Sequence, residues 1–197
     1  MFSGITEGFG KIIDYTDKSI KIKSDVRIIN GLLVSDSIAI NGVCLTVVKI
    51  DHENSSFVVN ISHETREKTN LDLVHQSIVN IEQSKKLGER LHGHIVQGHI
   101  DGMGELKSIE KKEDFFDFEF LVPNEILSYI IEKGSVTVNG VSLTVNEYSS
   151  VGFKVTVIPY TFSETNFKFL TVGNKVNIEV DIIGKYVKHF LNNNVGK

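Results

Sequence analysis

Short runs of β-branched and apolar residues dominate the hydrophobic pattern of this 197-residue chain. Apolar and polar positions alternate in several of the runs, as in SIKIK at 19–23 and FDFEF at 116–120, and this period of two is typical of a half-buried strand. Turn sequences such as Asn41-Gly42 separate neighbouring runs. The pattern predicts ten strands, at residues 19–23, 37–40, 45–48, 57–59, 78–81, 116–120, 135–138, 143–145, 154–158 and 176–180.

Two segments carry helical spacing instead. Residues 123–131 begin with a proline and have apolar positions one helical turn apart, which predicts a short helix. In the tail, residues 184–191 place Val187, Phe190 and Leu191 on one face. Because this apolar stripe has to be buried, we expect the terminal helix, residues 185–197, to pack against a neighbouring subunit.

The chain contains an internal duplication. SIAINGVCLTV at 37–47 and SVTVNGVSLTV at 135–145 are identical at seven of eleven positions. Three of the four differences keep a β-branched or small side chain, and the fourth exchanges Cys44 for Ser142. A second pair of segments, GITEGFG at 4–10 and GHIDGMG at 98–104, occurs in the same order.

The repeat sets the expected domain organisation. VNIE closes each copy, at 79–82 and 176–179. We therefore predict two similar domains, residues 1–88 and 89–184, rather than a solenoid of short repeats. Several short strands at regular spacing within each copy predict an all-β protein in which each domain is a closed barrel.

Composition excludes several classes of protein. Twenty-one basic and 25 acidic residues give a net charge of −4, which argues against a nucleic-acid or anionic-membrane surface. The single cysteine excludes a disulfide framework within the chain. Apolar runs are too short to span a bilayer, and no secretory signal is visible, so we expect a cytoplasmic protein without membrane contact.

Several motifs together resemble the α-chain type of riboflavin synthase. They are MFSGITEG at the start, the paired NGVCLTV and NGVSLTV, GHIVQGHIDG at 93–102, and VNIE near the end of each half. The resemblance covers essentially the whole chain, including the duplication. It implies two tandem six-stranded Greek-key β-barrels with a C-terminal α-helix, assembled as a homotrimer.

The resemblance also implies a reaction. Two molecules of 6,7-dimethyl-8-ribityllumazine dismutate: one gives a four-carbon unit to the other, and riboflavin and 5-amino-6-ribitylaminouracil result. No cofactor and no metal are required, and each active site lies between the first barrel of one subunit and the second barrel of another. The sequence leaves open which barrel holds the donor and whether the trimer associates with lumazine synthase.

Because identical substrates play different roles, the two pockets are expected to differ where charge moves. Four pairs of equivalent positions differ chemically: Cys44 and Ser142, Ile5 and His99, Ser35 and Lys133, Ser84 and Asp181. The resemblance places Cys44, Ser142, His99, Lys133 and Asp181 in the catalytic set.

Each catalytic candidate also has a structural interpretation. Cys44 and Ser142 would suit small buried positions at the start of a strand. His99 is predicted to take a proton from the 7-methyl group of the lumazine, but a hydrogen-bonded structural histidine has the same pattern. Lys133 would stabilise an anion or remain a solvated charge, and Asp181 would move protons or cap a turn.

Substrate-binding residues are predicted in equivalent segments of both halves. Polar side chains and backbone amides in these segments suit a flat ring with a polyhydroxylated chain. The threonines there would also serve as helix caps. The predicted set is Gly4, Ile5, Thr6, Cys44, Leu45, Thr46, Glu64, Thr65, Arg66, Glu67, Lys68, Thr69, Gly98, His99, Ile100, Lys133, Ser142, Leu143, Thr144, Tyr160, Thr161, Phe162, Ser163, Glu164 and Thr165.

Two positions depart from the family pattern, with His92 in place of a common glycine and Gln97 in place of a common serine. A metal site on His92, His94 and His99 is not expected, because in one strand His99 would point away from the other two. A lumazine- or flavin-binding protein without turnover is the main alternative function. An RNA-binding barrel is a weaker one, since it would need a basic groove with stacking aromatics.

Overall fold

The computed structural model describes residues 1–73 and 77–194 and has twelve strands in two closed six-stranded antiparallel β-barrels. The first barrel consists of β1 (Gly8–Tyr15), β2 (Ser19–Ser24), β3 (Ser37–Ile40), β4 (Val43–Asp51), β5 (Ser56–Asn60) and β6 (Ile78–Gln83). The second consists of β7 (Gly102–Lys112), β8 (Phe115–Leu121), β9 (Ser135–Val138), β10 (Val141–Tyr148), β11 (Gly152–Val157) and β12 (Lys175–Val180). The predicted all-β fold with tandem barrels is confirmed.

Both barrels have the same strand order. Around the first barrel the order is β1-β2-β5-β4-β3-β6, and the equivalent strands follow the same order in the second. Sequential hairpins are thus interrupted by crossovers, as in a Greek key. Each barrel is closed around its own apolar core, in which Phe57 is fully buried in the first and Phe118 and Phe120 in the second.

Five helices accompany the strands in the described residues. They are α1 (Val26–Gly31), α2 (His63–Lys68), α3 (Asn124–Leu127), α4 (Pro159–Glu164) and α5 (Ile182–Asn194), together with 3-10 turns at Asn70–Asp72 and Asn166–Phe169. The helix predicted at 123–131 is therefore only one turn long. The tail helix begins before and ends after the predicted 184–191, and Asp181 caps its start by accepting a hydrogen bond from the Ile183 amide at 2.9 Å.

Six buried asparagines join the two barrels. The Asn80 side chain accepts a hydrogen bond from the Asn166 amide at 2.7 Å, and in the other half Asn177 accepts one from the Asn70 amide at 2.6 Å. Asn41 and Asn139 complete the network. Because each of these hydrogen bonds from one half has an equivalent from the other half, the network relates the two barrels by a local twofold axis.

The two Asn-Gly turns meet at this axis. A Cβ atom added to Gly42 would lie 2.7 Å from the backbone nitrogen of Gly140, and one added to Gly140 would lie 2.6 Å from that of Gly42. Both glycines also have positive φ. A side chain at position 42 or 140 would thus collide with the backbone of the opposite turn.

Helix α5 leaves its apolar face exposed. Ile183, Val187, Phe190 and Leu191 are each more than half exposed. One contact that holds the helix is the hydrogen bond that Lys188 Nζ donates to Ser128 Oγ at 2.6 Å. Among the described helices, none combines the length and the apolar character that crossing a membrane demands.

Candidate active site

Two segments that precede the barrels pair with each other. We call residues 2–6 arm 1 and residues 93–100 arm 2. The Phe2 amide donates a hydrogen bond to the Val96 carbonyl at 2.8 Å, and the Val96 amide donates one to the Phe2 carbonyl at 3.1 Å. Both side chains are fully or almost fully buried, in a cluster with Ala39. The arms therefore form a fixed antiparallel pair.

Each arm reaches the opposite barrel. Ser142, in the second barrel, donates its backbone N–H to the Gly4 carbonyl at 2.7 Å, and Cys44, in the first barrel, donates its backbone N–H to the Gly98 carbonyl at 3.0 Å. A Cβ atom on Gly98 would lie 2.5 Å from Cys44 Cβ, and one on Gly4 would lie 2.6 Å from Ser142 Cβ. The arms cross, and each contributes to the site of the other half.

The first site is a cavity of about 280 Å³ between the first barrel and arm 2. It brings together Cys44 and His99, which the sequence places in different halves. The repeat aligns His99 with Ile5 but does not show to which barrel it belongs. The lining residues are Val43, Cys44, Glu64, Thr65, Lys68, Thr69, Gly98, His99 and Ile100.

Helix α2 forms one wall of this cavity. Ser62 caps the helix by accepting a hydrogen bond from the Thr65 amide, and Lys68 Nζ lies 2.7 Å from a Glu64 carboxylate oxygen. Arg66, by contrast, binds Asp72 and Asp17 through its guanidinium. Within the predicted segment 64–69, Glu64, Thr65, Lys68 and Thr69 thus line the cavity, and Arg66 ties the helix to its own barrel.

The second site is centred on Ser142. Its Oγ lies 2.8 Å from Nδ1 of His94. Burial lowers the pKa of His94, against the charge of Asp181, which acts to raise that pKa. At neutral pH the uncharged imidazole is therefore favoured, and in the tautomer with its proton on Nε2 it can accept the hydroxyl proton of Ser142 at Nδ1. The second site thus combines Ser142 with His94 and places Asp181 close by.

His94 is the functional candidate that sequence reasoning missed. The sequence offers for it only the interpretation as a metal ligand, which is not expected. The repeat pairs Gly4 with Gly98 and so offers no position in the first half for comparison with His94. The sequence feature that could have indicated a role for His94 is its position in GHIVQGHI, five residues before His99.

The other two predicted catalytic residues, Lys133 and Asp181, lie in different surroundings. Lys133 adopts a left-handed turn with φ of 62°, as Ser35 does in the first half with φ of 80°. Its side chain is exposed and has no hydrogen bond or ion pair within the part of the chain that the structure describes. Asp181 has the capping role that the structural interpretation predicts, and its charge also acts on His94.

Some predicted substrate-binding residues contribute to packing. Leu45 is buried in the first core, and the Phe162 ring stacks on Phe116 with centroids 3.8 Å apart. In contrast, Tyr160 on α4 is about three-quarters exposed, and Ile5 on arm 1 is exposed. The remaining predicted positions in these segments are Thr6, Thr46, Glu67, Leu143, Thr144, Thr161, Ser163, Glu164 and Thr165.

A buried glutamate holds each arm. Glu82 accepts hydrogen bonds from the Ser3 and Gly4 amides, and Glu179 accepts them from the Gln97 and Gly98 amides. Burial raises the pKa of both carboxyls, to about 6 for Glu179, although these hydrogen bonds act to lower it. The interior thus disfavours the charge that the arms require.

Within residues 1–73 and 77–194, no three His, Cys, Asp or Glu side chains are grouped as a metal site would require. His99 lines the first site and His94 the second, so the histidines of arm 2 serve different pockets.

Comparisons with known proteins agree with the internal duplication. A family model described as "Lumazine binding domain" matches twice, over residues 3–84 and 97–181. The chain is 41% identical to riboflavin synthase of Photobacterium phosphoreum, over 97% of this chain and 89% of that protein. It is 39% identical to riboflavin synthase of Bacillus subtilis, over 97% and 90%.

Solved structures show the same fold. LumP in complex with riboflavin superposes with a TM-score of 0.82 at 25% identity, covering 91% of this chain and 99% of that one. LumP in complex with 6,7-dimethyl-8-(1'-D-ribityl)lumazine superposes with a TM-score of 0.81 at 23% identity and the same coverage.

Proposed function

The chain belongs to the lumazine-binding domain family and, within it, to the riboflavin synthases, and we propose on that premise that it converts two molecules of 6,7-dimethyl-8-ribityllumazine into riboflavin and 5-amino-6-ribitylaminouracil. The four-carbon unit that leaves one lumazine joins the other. The reactants contain all the atoms of the products, so the dismutation needs no external oxidant or reductant.

One observation carries the proposal: the chain has two related sites with different chemistry. The first holds Cys44 and His99, and the second holds Ser142 with the uncharged imidazole of His94. Two bound copies of one substrate can therefore be treated differently, one as donor and one as acceptor. Holding both in place turns an encounter of two solutes into a reaction within one complex.

The catalytic groups have distinct proposed roles. His99 takes a proton from the 7-methyl group of the lumazine in the first site. Ser142, with its proton shared with His94, assists addition and proton transfer at the ring in the second site. Lys133 stabilises negative charge on the ring, and Asp181 acts through His94.

The proposed working assembly is a cytoplasmic homotrimer, in which the first barrel of one subunit faces the second barrel of another. Its support is the apolar face of α5, where Phe190 and Leu191 are exposed in the single chain. The proposal also includes two domains, residues 1–88 and 89–184. The tail, residues 185–197, forms the trimer contact.

The test is incubation of the purified protein with 6,7-dimethyl-8-ribityllumazine, with riboflavin followed by absorbance. Steady formation of riboflavin and of the diaminouracil in a 1:1 ratio is the expected result. Tight binding of the lumazine without any product would instead show a binding protein and contradict the proposal.

A further inference from the structure

Glu82 and Glu179 use both carboxylate oxygens on the arms. In Glu179, Oε1 accepts from the Gln97 amide at 2.8 Å and Oε2 from the Gly98 amide at 2.9 Å. In Glu82, Oε1 accepts from the Ser3 amide at 2.7 Å and Oε2 from the Gly4 amide at 3.0 Å. Both side chains are only 2% exposed. The two halves thus repeat the same bidentate contact.

This contact fixes the direction of the chain just before a site residue. Two successive amides bound to one carboxylate restrict the peptide plane between them. On arm 2 the next residue is His99, which lines the first site beside Cys44. On arm 1 the next residue is Ile5. Glu179 therefore lies in the second barrel but holds a group that faces the first.

The contact is made in charged surroundings. Lys185 lies 2.8 Å from Asp101, and both act on Glu179, where the Lys185 charge favours the ionised carboxyl and the Asp101 charge opposes it. Near Glu82, Lys85 Nζ lies 3.8 Å from the carboxylate. A carboxylate that served only in an ion pair would not need two amide partners. The amides explain why a carboxylate is retained in the interior.

We propose that Glu82 and Glu179 are positioning residues that act across the barrel interface, each aligning an arm over the pocket of the other half. Glu179 sets the position of His99 over Cys44, and Glu82 sets Gly4 over Ser142. The consequence for turnover rests on the proposed function, but the consequence for the position of the arms does not.

Thiol reactivity tests the position of each arm without any substrate. Cys44 is the only cysteine of the chain, is partly buried and packs closely against Gly98. In Glu179→Gln, one arm amide faces an NH₂ group instead of an oxygen, so arm 2 loosens and Cys44 reacts with a disulfide reagent at least about fivefold faster. Glu82→Gln, which makes the same change on arm 1, leaves this rate within about twofold.

The reciprocal experiment moves the thiol. In a Cys44→Ser, Ser142→Cys background, Glu82→Gln accelerates the reaction and Glu179→Gln does not. Equal acceleration at both positions by both variants would show general loosening and overturn the proposal. If Glu179→Gln does not fold, Glu179→Asp withdraws the carboxylate by one methylene and replaces it in both experiments.

Kinetics test whether Glu179 acts through His99. Glu179→Gln is expected to lower kcat at least about tenfold with a smaller change in KM, and to have little further effect in a His99→Ala background. The same loss in both backgrounds would contradict a role through His99. Absence of turnover in the unmutated protein would overturn the proposed function instead, while the thiol rates would still decide the position of the arms.

Discussion

At the scale of single residues, the electrostatics of the candidate site are set by groups removed from water. Burial raises the pKa of Glu179 to about 6 and lowers that of His94, so that in both cases the neutral form is favoured. His94 can thereby act as a hydrogen-bond acceptor for Ser142 at neutral pH. Glu179 ionises near pH 6 and binds its two amides as a carboxylate above that pH.

The raised pKa of Glu179 predicts a pH dependence of stability. Between the ordinary value of 4.5 and about 6, the folded protein keeps a proton that the unfolded chain has lost. The contribution of Glu179 to the free energy of unfolding is therefore fully present below pH 4.5. It is lost as pH rises through 6, and the loss is about 2 kcal/mol for this one carboxyl. Glu179→Gln removes this contribution, while that of Glu82, whose pKa burial also raises, remains. Urea unfolding of the unmutated protein and of Glu179→Gln from pH 4.5 to 7 measures this contribution. If the free energies of unfolding of the two proteins change in parallel with pH, the prediction is contradicted.

The site chemistry predicts a difference between turnover and binding. His99→Ala and Ser142→Ala are each expected to lower kcat about 100-fold, because each removes a group from proton transfer, and to weaken lumazine binding much less. His92→Ala, at an exposed histidine near the same arm, is the control and retains full activity. Unchanged turnover in both site variants would remove His99 and Ser142 from the catalytic set.

Comparison of the two halves selects Cys44 and Ser142 as candidates from the sequence, because a chemical difference stands out between identical neighbours. It did not assign His99 to the first site, since the crossing of the arms is a long-range property that no local pattern encodes. His94 has no equivalent position in the first half and was missed for that reason.

At the scale of elements, the predicted strands are runs of β-branched and apolar residues, whereas the two strands that were missed begin with glycine-rich sequence, GFG and GMG. All ten predicted strands occur, whereas β1 and β7 were missed. Each of the two has a register shift, between Ile12 and Asp14 in β1 and between Leu106 and Ser108 in β7. Because β4 and β10 also have a register shift and were predicted, the shift alone does not explain the omission. The glycines that begin β1 and β7, Gly8 and Gly102, favour a loop in a sequence-based assignment.

Helix α5 predicts how the chain assembles. Truncation after Gly184 removes Val187, Phe190 and Leu191, which form the exposed apolar face. We expect the truncated protein to sediment as a monomer while its circular dichroism still shows intact barrels, because both cores lie outside the helix. A trimer that survives truncation would contradict the role of α5.

At the scale of the whole molecule, the asparagine network makes the two barrels one structural unit. Amides donate and accept in fixed directions, so the network allows one alignment of the barrels and disfavours sliding. The sequence shows the duplication but not this network, because the asparagines lie far apart along the chain and meet only after both barrels have closed.

The network predicts cooperative unfolding. Asn80→Ala leaves the Asn166 amide and the Asn139 carbonyl without the partner that the Asn80 side chain provides, at a cost of about 3 kcal/mol. Asn60→Ala, at an exposed asparagine, is the control and changes stability by less than about 0.5 kcal/mol. Calorimetry of the unmutated protein should show a single transition. Two separate transitions would show that the barrels unfold independently.

The crossing of the arms has a consequence for recombination between relatives. A chimaera with its breakpoint at residues 85–88 inherits both barrels intact, yet it seats Gly98 and His99 from one parent over the Cys44 of the other. Breakpoints that transfer each arm together with the strand it covers would keep these partners matched. The unit that relatives can exchange without mismatching these contacts is therefore the pocket and not the domain.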